Sequence, residues 1–314
     1  MAGAPQEHSS AMQRNRPEKI RQHTVARRYL KGFTVDEDQL IQYDREMSTC
    51  YPVSVDDASV VKRIYSIQQP NGEWDDSIED YFMQLEGDAG PILENLIAGQ
   101  TPTKSEKCVF ALYLARQMQR GQFMADFARR EALRFRDPRF LVTFLEKHHQ
   151  QLAAQCGEQE LDKAIREFAA HPQGVDIDPK TYLRVLIPET PPYAAMIADL
   201  HWRVERSRKS FFVTSDQPTC VRRRGQPVNP RVVGLLVEDA ELYFPLNKNR
   251  LLIASKTRPR DWKTDVGVPR VREINRIIVI HAFRFVFAPA EDRVLELLID
   301  EHKQDRVRFP EIPW

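Results

Sequence analysis

Apolar residues recur along this chain with two different periods, and the period changes around residue 205. Before that point helical spacing dominates: Ile78, Phe82, Leu85 and Ala89 lie three or four residues apart, as on one face of a helix. After it, short apolar runs bounded by Gly, Pro and Asn are typical of strands. The pattern predicts an α+β fold that is helix-rich and has a small, mostly antiparallel sheet in the C-terminal half.

Several helices can be placed from their start signals. Thr103 and Glu106 form a capping box, because the hydroxyl and the carboxylate can each accept a hydrogen bond from a backbone amide of the first turn. A helix over 104–120 should follow, with a stripe of Val109, Leu112 and Tyr113. An earlier helix begins after Asp75-Asp76-Ser77 and should kink, or stop and restart, near Pro91. Further helices are predicted at 122–134, 138–155, 158–170, from Asp178-Pro179, and over 274–285, where strand competes.

Strands are predicted where β-branched and aromatic residues cluster: Leu40–Tyr43, Val60–Tyr65, Phe211–Thr214, Gly234–Val237, Leu242–Phe244 and Leu251–Ala254. Residues 1–19 are polar and can bury too little surface to offset their ordering entropy, so they are predicted to be a disordered tail. Residues 20–314 then form a single α+β domain, in which 75–205 is a candidate helical subdomain.

Charge and cysteine content limit the function classes. The 46 Lys and Arg residues balance 45 Asp and Glu residues, so the whole molecule has no net attraction to nucleic acid or anionic lipid. The four cysteines form no C-x-x-C pair, which argues against a zinc ribbon or a redox dithiol. No apolar segment approaches the roughly 20 residues that span a bilayer. We expect a soluble, cytoplasmic protein.

The polar pair Gln22-His23 precedes the amphipathic run 25–33 and is the first candidate site. Imidazole has an unperturbed pKa of about 6.5, so His23 could act as a ligand or general base. Alternatively, His23 could have a structural role and fix the start of a helix. An amide exchanges no protons usefully, so Gln22 is expected to hold His23 or a ligand by hydrogen bonds.

Two carboxylates and an arginine interrupt the helical stripes. Glu79 and Glu86 are seven residues apart, which places them about 20° apart around a helix and about 10 Å apart along it. They suit a metal ion or a buried arginine, or else a solvated helix edge. Arg116 continues the apolar stripe of its helix, where an unpaired guanidinium would be costly. An ion pair with Glu79 or Glu86 is the favoured interpretation, and anion binding is the alternative.

Polar residues also follow a predicted strand at 214–218. Ser215 and Asp216 stand at a strand end, where a rigid scaffold presents side chains to a cleft, although the same composition suits a simple turn. Ser215 lacks a G-x-S-x-G context, which disfavours a nucleophile elbow. Nearby, Arg222, Arg223 and Arg224 could neutralise the phosphates of a nucleic acid, or form a solvated face.

The segment Arg21–Phe33 resembles the opening of the family of proteins of unknown function DUF4238, whose members typically read Gln-His-Tyr-Val-Pro-x-Phe-Tyr-Leu-x-x-Phe. Similar segments follow in the same order: Ile78-Glu79 with Glu86; Phe212–Pro218; and Phe244-Pro245-Leu246 with Asn275. The resemblance covers about residues 20–288, and it departs from the family at Ala26, where proline is usual, and at Gln217, where asparagine is usual. It implies a fold and a set of residues but no reaction.

Two functional hypotheses follow. In the first, His23, Gln22, Arg116, Asp216 and Ser215 line one cleft of a metal-assisted nuclease. Glu79, Glu86 and Asp216 would bind Mg²⁺ or Mn²⁺, His23 would activate water and Arg116 would stabilise developing charge. In the second, the protein is not an enzyme: the polar residues form a buried network, and the arginine cluster binds a protein or nucleic-acid partner. An open cleft at His23 and Asp216 favours catalysis, and a closed core favours the network.

Overall fold

The computed structural model describes residues 19–36, 38–170, 175–180, 183, 192–226 and 234–305. The helices are α1 (Arg27–Leu30), α2 (Ser77–Ala98), α3 (Lys104–Arg120), α4 (Gln122–Arg134), α5 (Pro138–Lys147), α6 (His149–Cys156), α7 (Glu158–Ala170), α8 (Pro192–Asp199), α9 (Val268–His281) and α10 (Arg293–Glu301). The strands are β1 (Arg21–His23), β2 (Gln39–Asp44), β3 (Thr49–Ser54), β4 (Val60–Lys62), β5 (Ile67–Gln68), β6 (Trp74–Asp75), β7 (His201–Ser207), β8 (Thr214–Ser215), β9 (Cys220–Arg223), β10 (Ala240–Asn247), β11 (Arg250–Ser255), β12 (Lys263–Val266) and β13 (Phe285–Ala288).

Two larger sheets organise these strands. One has the order β12-β7-β11-β10-β9 and is antiparallel except for the β12–β7 pair. The other has the order β3-β2-β13-β8 and is antiparallel throughout. The α+β class is therefore confirmed. Strand pairing is not confined to the C-terminal half, however, because β2 and β3 of the N-terminal part join β13 in the second sheet.

The core forms where helices cover these sheets. Aromatic rings connect distant parts of the chain: the centroids of Tyr29 and Phe244 are 4.9 Å apart, and Phe110 packs edge-on against both Trp202 and Phe244. A second group of buried side chains places α9, through residues such as Ile277 and Ile278, against β13 and α10. Because buried aromatic pairs add directional contacts to burial, the N-terminal segment is tied firmly to the C-terminal sheet.

Helix predictions are confirmed where local signals are strong. Both hydrogen bonds of the Thr103 capping box are present, and α3, α4 and α7 have the predicted bounds. The predicted helix 138–155 is instead divided at His148 into α5 and α6. Helix α2 continues through Pro91, so of the two predicted alternatives, a kink or a stop and restart, the second is wrong. Buried residues on both sides, including Leu85 and Leu93, supply packing that offsets the lost backbone hydrogen bond.

Strand predictions are confirmed for β2, β10 and β11. The predicted strand at 234–237 is wrong, because these residues turn and Val237 N donates to Gly234 O at 3.2 Å. Of residues 211–215, only Thr214 and Ser215 pair as a strand. The segment 274–281 is helical within α9, while Phe285 begins β13. The predicted tail lies outside the described residues up to position 18, and the helix predicted from Asp178-Pro179 lies mostly outside them.

Candidate functional site

Gln22 holds the backbone that follows β4. Its side chain is fully buried; Nε2 donates to Ser66 Oγ at 2.8 Å, and Oε1 accepts a hydrogen bond from Tyr65 N at 2.7 Å. In the ladder, Gln22 lies opposite Val61. Both ends of the amide are therefore engaged, and Gln22 locks β1 to the segment that leads away from β4.

His23 directly follows Gln22 and is half-buried. Its Nε2 has no hydrogen-bond partner among the described residues. Burial lowers the pKa of His23, while a backbone hydrogen bond at Asp56 and the charge of Glu86 oppose that change. Burial therefore favours the neutral form of the imidazole. The backbone carbonyl of His23 accepts a hydrogen bond from Arg120.

Arg120 connects three elements. It is 2% exposed, and its guanidinium donates to Glu86 on α2 and to the carbonyl of His23 on β1. In return, Tyr65 Oη donates to the carbonyl of Arg120 at 2.7 Å. The sequence pattern does not single out this arginine. Its position four residues after Arg116, one helical turn further along the same side of α3, is the signal that could have identified it.

Arg116 is equally buried but has different contacts. Its Nε donates to Tyr81 Oη at 3.0 Å, and Nη1 donates to Gln119 Oε1 at 2.8 Å. Among the described side chains, the ion pair with Glu86 belongs to Arg120 and not to Arg116. Of the two carboxylates predicted as partners of Arg116, Glu86 pairs instead with Arg120. The spacing along α3 does not reveal how this helix is rotated against α2.

Glu79 lies on the same face of α2 as Glu86. It is 9% exposed, and its Oε2 has no hydrogen-bond partner among the described residues. Burial raises the pKa of Glu79 to about 7, although the charge of Arg120 opposes this rise. On α3, the buried amide of Gln117 lies beside Tyr113 without a hydrogen bond of normal geometry to any described residue. Buried polar atoms of this kind commonly bind ordered water.

Asp216 holds the turn between α9 and β13. It is 3% exposed, and its Oδ1 accepts a hydrogen bond from Phe283 N at 2.8 Å. Oδ2 accepts hydrogen bonds from the amides of Arg284 at 2.8 Å and Phe285 at 2.9 Å. Burial raises the pKa of Asp216 to about 6, against these three hydrogen bonds, which lower it. The carboxyl group thus serves as an acceptor for one turn of backbone.

Ser215 and Gln217 form a local turn beside it. Ser215 Oγ donates to the carbonyl of Gln217 at 2.9 Å and accepts from its amide at 3.2 Å, so the hydroxyl is used within the turn. Gln217 Nε2 donates to Met118 O at 3.4 Å. Its Oε1 lies so close to Gly121 that a Cβ there would be 2.4 Å away. A larger residue at position 121 would therefore displace the Gln217 amide.

The predicted metal ligands do not assemble into a site. Both oxygens of Asp216 accept backbone hydrogen bonds, and Glu86 is paired with Arg120. Within the described part of the chain, no three His, Cys, Asp or Glu side chains are arranged to hold a metal ion. The donors therefore do not fit Mg²⁺ or Mn²⁺, although His23, Glu79 and Glu86 do meet around Arg120 as neighbours.

An open cavity of about 420 Å³ adjoins these residues, which position three of the residues that line it. Val61 lies opposite Gln22 in the ladder. Phe283 donates its amide hydrogen to Asp216. Gln122 follows Gly121, on which Gln217 packs. Gln22, Asp216 and Gln217, which belong to the sequence motifs, thus lie next to residues that form the wall of this cavity.

The cavity is cationic. Four basic side chains and two acidic side chains line it: Lys62, Arg63, Arg129, Lys180, Asp126 and Asp178. Asp126 is neutralised by Arg129 and by Arg130, each at 3.6 Å. Lys62 and Lys180 form no ion pair with any described residue. The unbalanced charge that faces the cavity is therefore positive.

A tryptophan stacks with the basic wall. The guanidinium of Arg63 lies 4.3 Å from the ring centroid of Trp74, and Lys180 Nζ lies 5.7 Å from it. Lys180 Nζ also donates to the carbonyl groups of Arg63 and Ser66 at 2.7 and 2.6 Å. Arg63 has a φ of +51°, which a residue with a side chain rarely adopts. These contacts connect Arg63, Ser66, Trp74 and Lys180 along the cationic wall.

The predicted arginine cluster has a different environment. Arg222 is buried and donates to the carbonyl of Gln226 at 2.7 Å. Arg223 pairs with Asp239 at 2.9 Å, and Arg224 is exposed. Of the three arginines, only Arg222 is therefore buried, while Arg223 and Arg224 lie at the surface.

Comparison with known proteins supports the family resemblance. A family model described as Protein of unknown function (DUF4238) matches residues 21–292. Searches of curated proteins and of solved structures found no match. In the described part of the chain, none of the helices combines the length and apolarity needed to span a bilayer.

Proposed function

We propose that this chain, which belongs to the DUF4238 family, is a binding protein that takes a small phosphate-bearing molecule into the cationic cavity. The observation that carries the proposal is the cavity itself: about 420 Å³, with Lys62, Arg63, Arg129 and Lys180 facing it. Cavities of roughly 300–1,000 Å³ are typical of small-molecule sites.

Charge favours an anionic ligand. Lys62 is exposed and Lys180 is partly buried, and burial lowers the pKa of Lys180. Lys180 Nζ donates to two backbone carbonyls, and the charge of Asp178 partly opposes the effect of burial. Because Lys180 forms no ion pair with a described carboxylate, an anion beside it would be stabilising. Phosphate suits such a wall because guanidinium and ammonium groups form strong, charge-assisted hydrogen bonds to its oxygens.

The start of α4 adds to the same preference. Its N-cap is Gly121, which has no side chain to accept from the first amides, and Gln122 at the first helical position lines the cavity. The first amides of a helix carry partial positive charge and commonly bind phosphate oxygens. Gln122 brings the start of α4 to the cavity wall, so the partial positive charge of that helix end would add to the attraction of the basic side chains.

The contacts of the predicted catalytic residues favour a binding protein over a nuclease. Asp216 and Ser215 satisfy backbone groups, and Gln22 holds the chain after β4. None of these residues lines the cavity. The second hypothesis, a buried network in a protein that binds a partner, agrees better with these contacts. Binding of nucleic acid through Arg222, Arg223 and Arg224 has less support, because Arg223 is paired with Asp239.

The test is titration of the full-length protein with inorganic pyrophosphate by calorimetry at low salt, where screening is weak. We expect saturable binding that Lys62→Glu weakens about tenfold or more, since the substitution replaces attraction with repulsion. Lys163→Glu is the matched control: Lys163 is exposed on α7 and does not line the cavity, so this variant should bind nearly as the unchanged protein does.

Two results would overturn the proposal. One is the absence of saturable binding together with an unchanged melting temperature in excess pyrophosphate, because a ligand of the folded state must raise it. The other is an equal loss in both variants, which indicates a non-specific charge effect. Cleavage of a mixed-sequence oligonucleotide in Mn²⁺ that is lost in His23→Ala would support the nuclease hypothesis instead.

A further inference from the structure

A second groove lies between α9 and α10. It has a volume of about 870 Å³, and the two helices contribute most of its lining together with the segment around Phe211 and the buried Arg222. The cationic cavity shares no lining residue with it. The groove is therefore a separate feature of the molecule, independent of the proposed function.

One wall of this groove is an apolar stripe on α10. Leu295 and Ile299 pack into the core, whereas Val294 and Leu297 remain 48% and 55% exposed. Val294, Leu297 and Leu298 all line the groove. Leu297 and Leu298 follow Val294 by three and four residues, so all three share one side of the helix. Large apolar side chains exposed together along a groove are typical of an interaction surface.

The unpaired charges along the groove are basic. Lys209 and Arg272 form no ion pair with any described residue. The acidic side chains are already engaged: Glu301 pairs with Arg276 at 3.3 Å, Glu273 pairs with Arg270 at 2.9 Å, and Asp292 accepts hydrogen bonds from the first amides of α10. A partner that carries negative charge beside an apolar face would complement this surface.

We propose that the groove docks an amphipathic helix of a partner protein, with apolar residues spaced three and four apart and acidic residues along the flanks. The apolar face would cover Val294 and Leu297, and the acidic flanks would meet Lys209 and Arg272. Helices commonly bind in grooves through such spaced apolar anchors. A nucleic acid fits less well, because the exposed stripe is aliphatic and offers no ring on which bases stack.

The experiment is selection from a library of helical peptides with randomised surface positions, displayed to the immobilised full-length protein. Selected peptides are then measured by fluorescence anisotropy. We expect enrichment of apolar residues at helical spacing with Glu or Asp beside them. Leu297→Glu should weaken binding about tenfold or more, since it adds like charge and removes an apolar contact. Arg272→Glu should weaken it to a smaller extent and reduce its dependence on salt.

Matched controls use exposed residues of α4 and α5. Leu133 is 48% exposed and Arg139 is exposed, and neither lines the groove, so Leu133→Glu and Arg139→Glu should leave peptide affinity unchanged. A library that yields no enriched sequence overturns the proposal, as do peptides that bind Leu297→Glu and Leu133→Glu equally. Enrichment of basic peptides would contradict the assigned charge. Displacement of the peptide by a mixed-sequence oligonucleotide, with the same sensitivity to Leu297→Glu, would favour nucleic acid as the occupant.

Discussion

At the residue scale, the buried carboxyl group of Glu79 has the clearest consequence for pH dependence. Burial raises its pKa from 4.5 to about 7 in the folded state. Between these values the folded protein binds more protons than the unfolded chain, so the stability contributed by this group falls as pH rises through that range. Its charged form is therefore tolerated at a cost, close to Arg120 and Glu86.

We predict that Glu79→Gln abolishes this dependence. Relative to the unchanged protein, the variant should gain free energy of unfolding on the order of 2 kcal/mol between about pH 5 and about pH 8. Urea unfolding at several pH values measures the difference. Glu94→Gln is a control, because Glu94 is exposed on the same helix. Identical pH profiles for Glu79→Gln and the unchanged protein would show that Glu79 is ionised normally.

Asp216 provides a second prediction at this scale. In Asp216→Asn one carboxylate oxygen becomes an amino group that cannot accept from the amides of Phe283, Arg284 and Phe285. At least one buried amide then loses its acceptor, which costs about 1–3 kcal/mol. Chemical denaturation should show this loss, whereas Asp36→Asn at an exposed position should change stability by less than about 0.5 kcal/mol. Equal stability of the two variants would contradict the proposed anchoring of the turn.

At the element scale, Arg120 joins β1, α2 and α3 through one guanidinium. Arg120→Met keeps much of the apolar stem but leaves Glu86 and the His23 carbonyl without their donor. We predict a loss of about 3 kcal/mol in the free energy of unfolding, as expected when one partner of a largely buried ion pair is removed. The Arg120 side chain is 3% exposed and that of Glu86 is 24% exposed, so the effect should lie toward the lower end of the usual range.

Arg139→Met serves as the comparison, because Arg139 is exposed on α5. Its free energy of unfolding should stay within about 0.5 kcal/mol of the unchanged protein. Hydrogen exchange adds a readout of position: amides of β1 and β4 should exchange faster in Arg120→Met, since these strands lose their tie to α3. A uniform change across the molecule would indicate that Arg120 contributes only to global stability.

At the scale of the whole molecule, N-terminal and C-terminal segments are interleaved. Strand β13 lies between β2 and β8, and Lys248 N donates to the carbonyl of Gly32 at 2.9 Å. The Tyr29 ring packs on Phe244, with centroids 4.9 Å apart. Strands after residue 200 therefore pair and pack with segments that precede residue 60. A single domain over residues 20–314 remains a prediction.

We accordingly predict that a fragment of residues 192–314 does not fold alone. Without β2, one edge of β13 would be unpaired, and without Tyr29 the ring of Phe244 would lose part of its packing. Circular dichroism in the near ultraviolet and thermal unfolding measure native packing and cooperativity. Copurification with a separately expressed fragment of residues 1–191 should restore both signals. A sharp unfolding transition of the isolated fragment would show instead that this half is an independent domain.

Local signals in the sequence are sufficient for much of the secondary structure. The capping box at Thr103 sets the start of α3, and helical spacing predicts α4 and α7 with the observed bounds. Strands β2, β10 and β11 follow from their short apolar runs. Each of these signals acts between residues a few positions apart, where backbone preference and side-chain spacing are decisive.

The sequence by itself therefore determined the α+β class, most of the helices and the polar residues that interrupt apolar stripes or follow strands. Only the tertiary structure decided that Arg120 rather than Arg116 pairs with Glu86, that Asp216 holds residues 283–285, and that β2 joins β13. It also decided which basic side chains share a cavity. These outcomes depend on helix rotation and on pairing between residues up to about 250 positions apart, which local propensity does not encode.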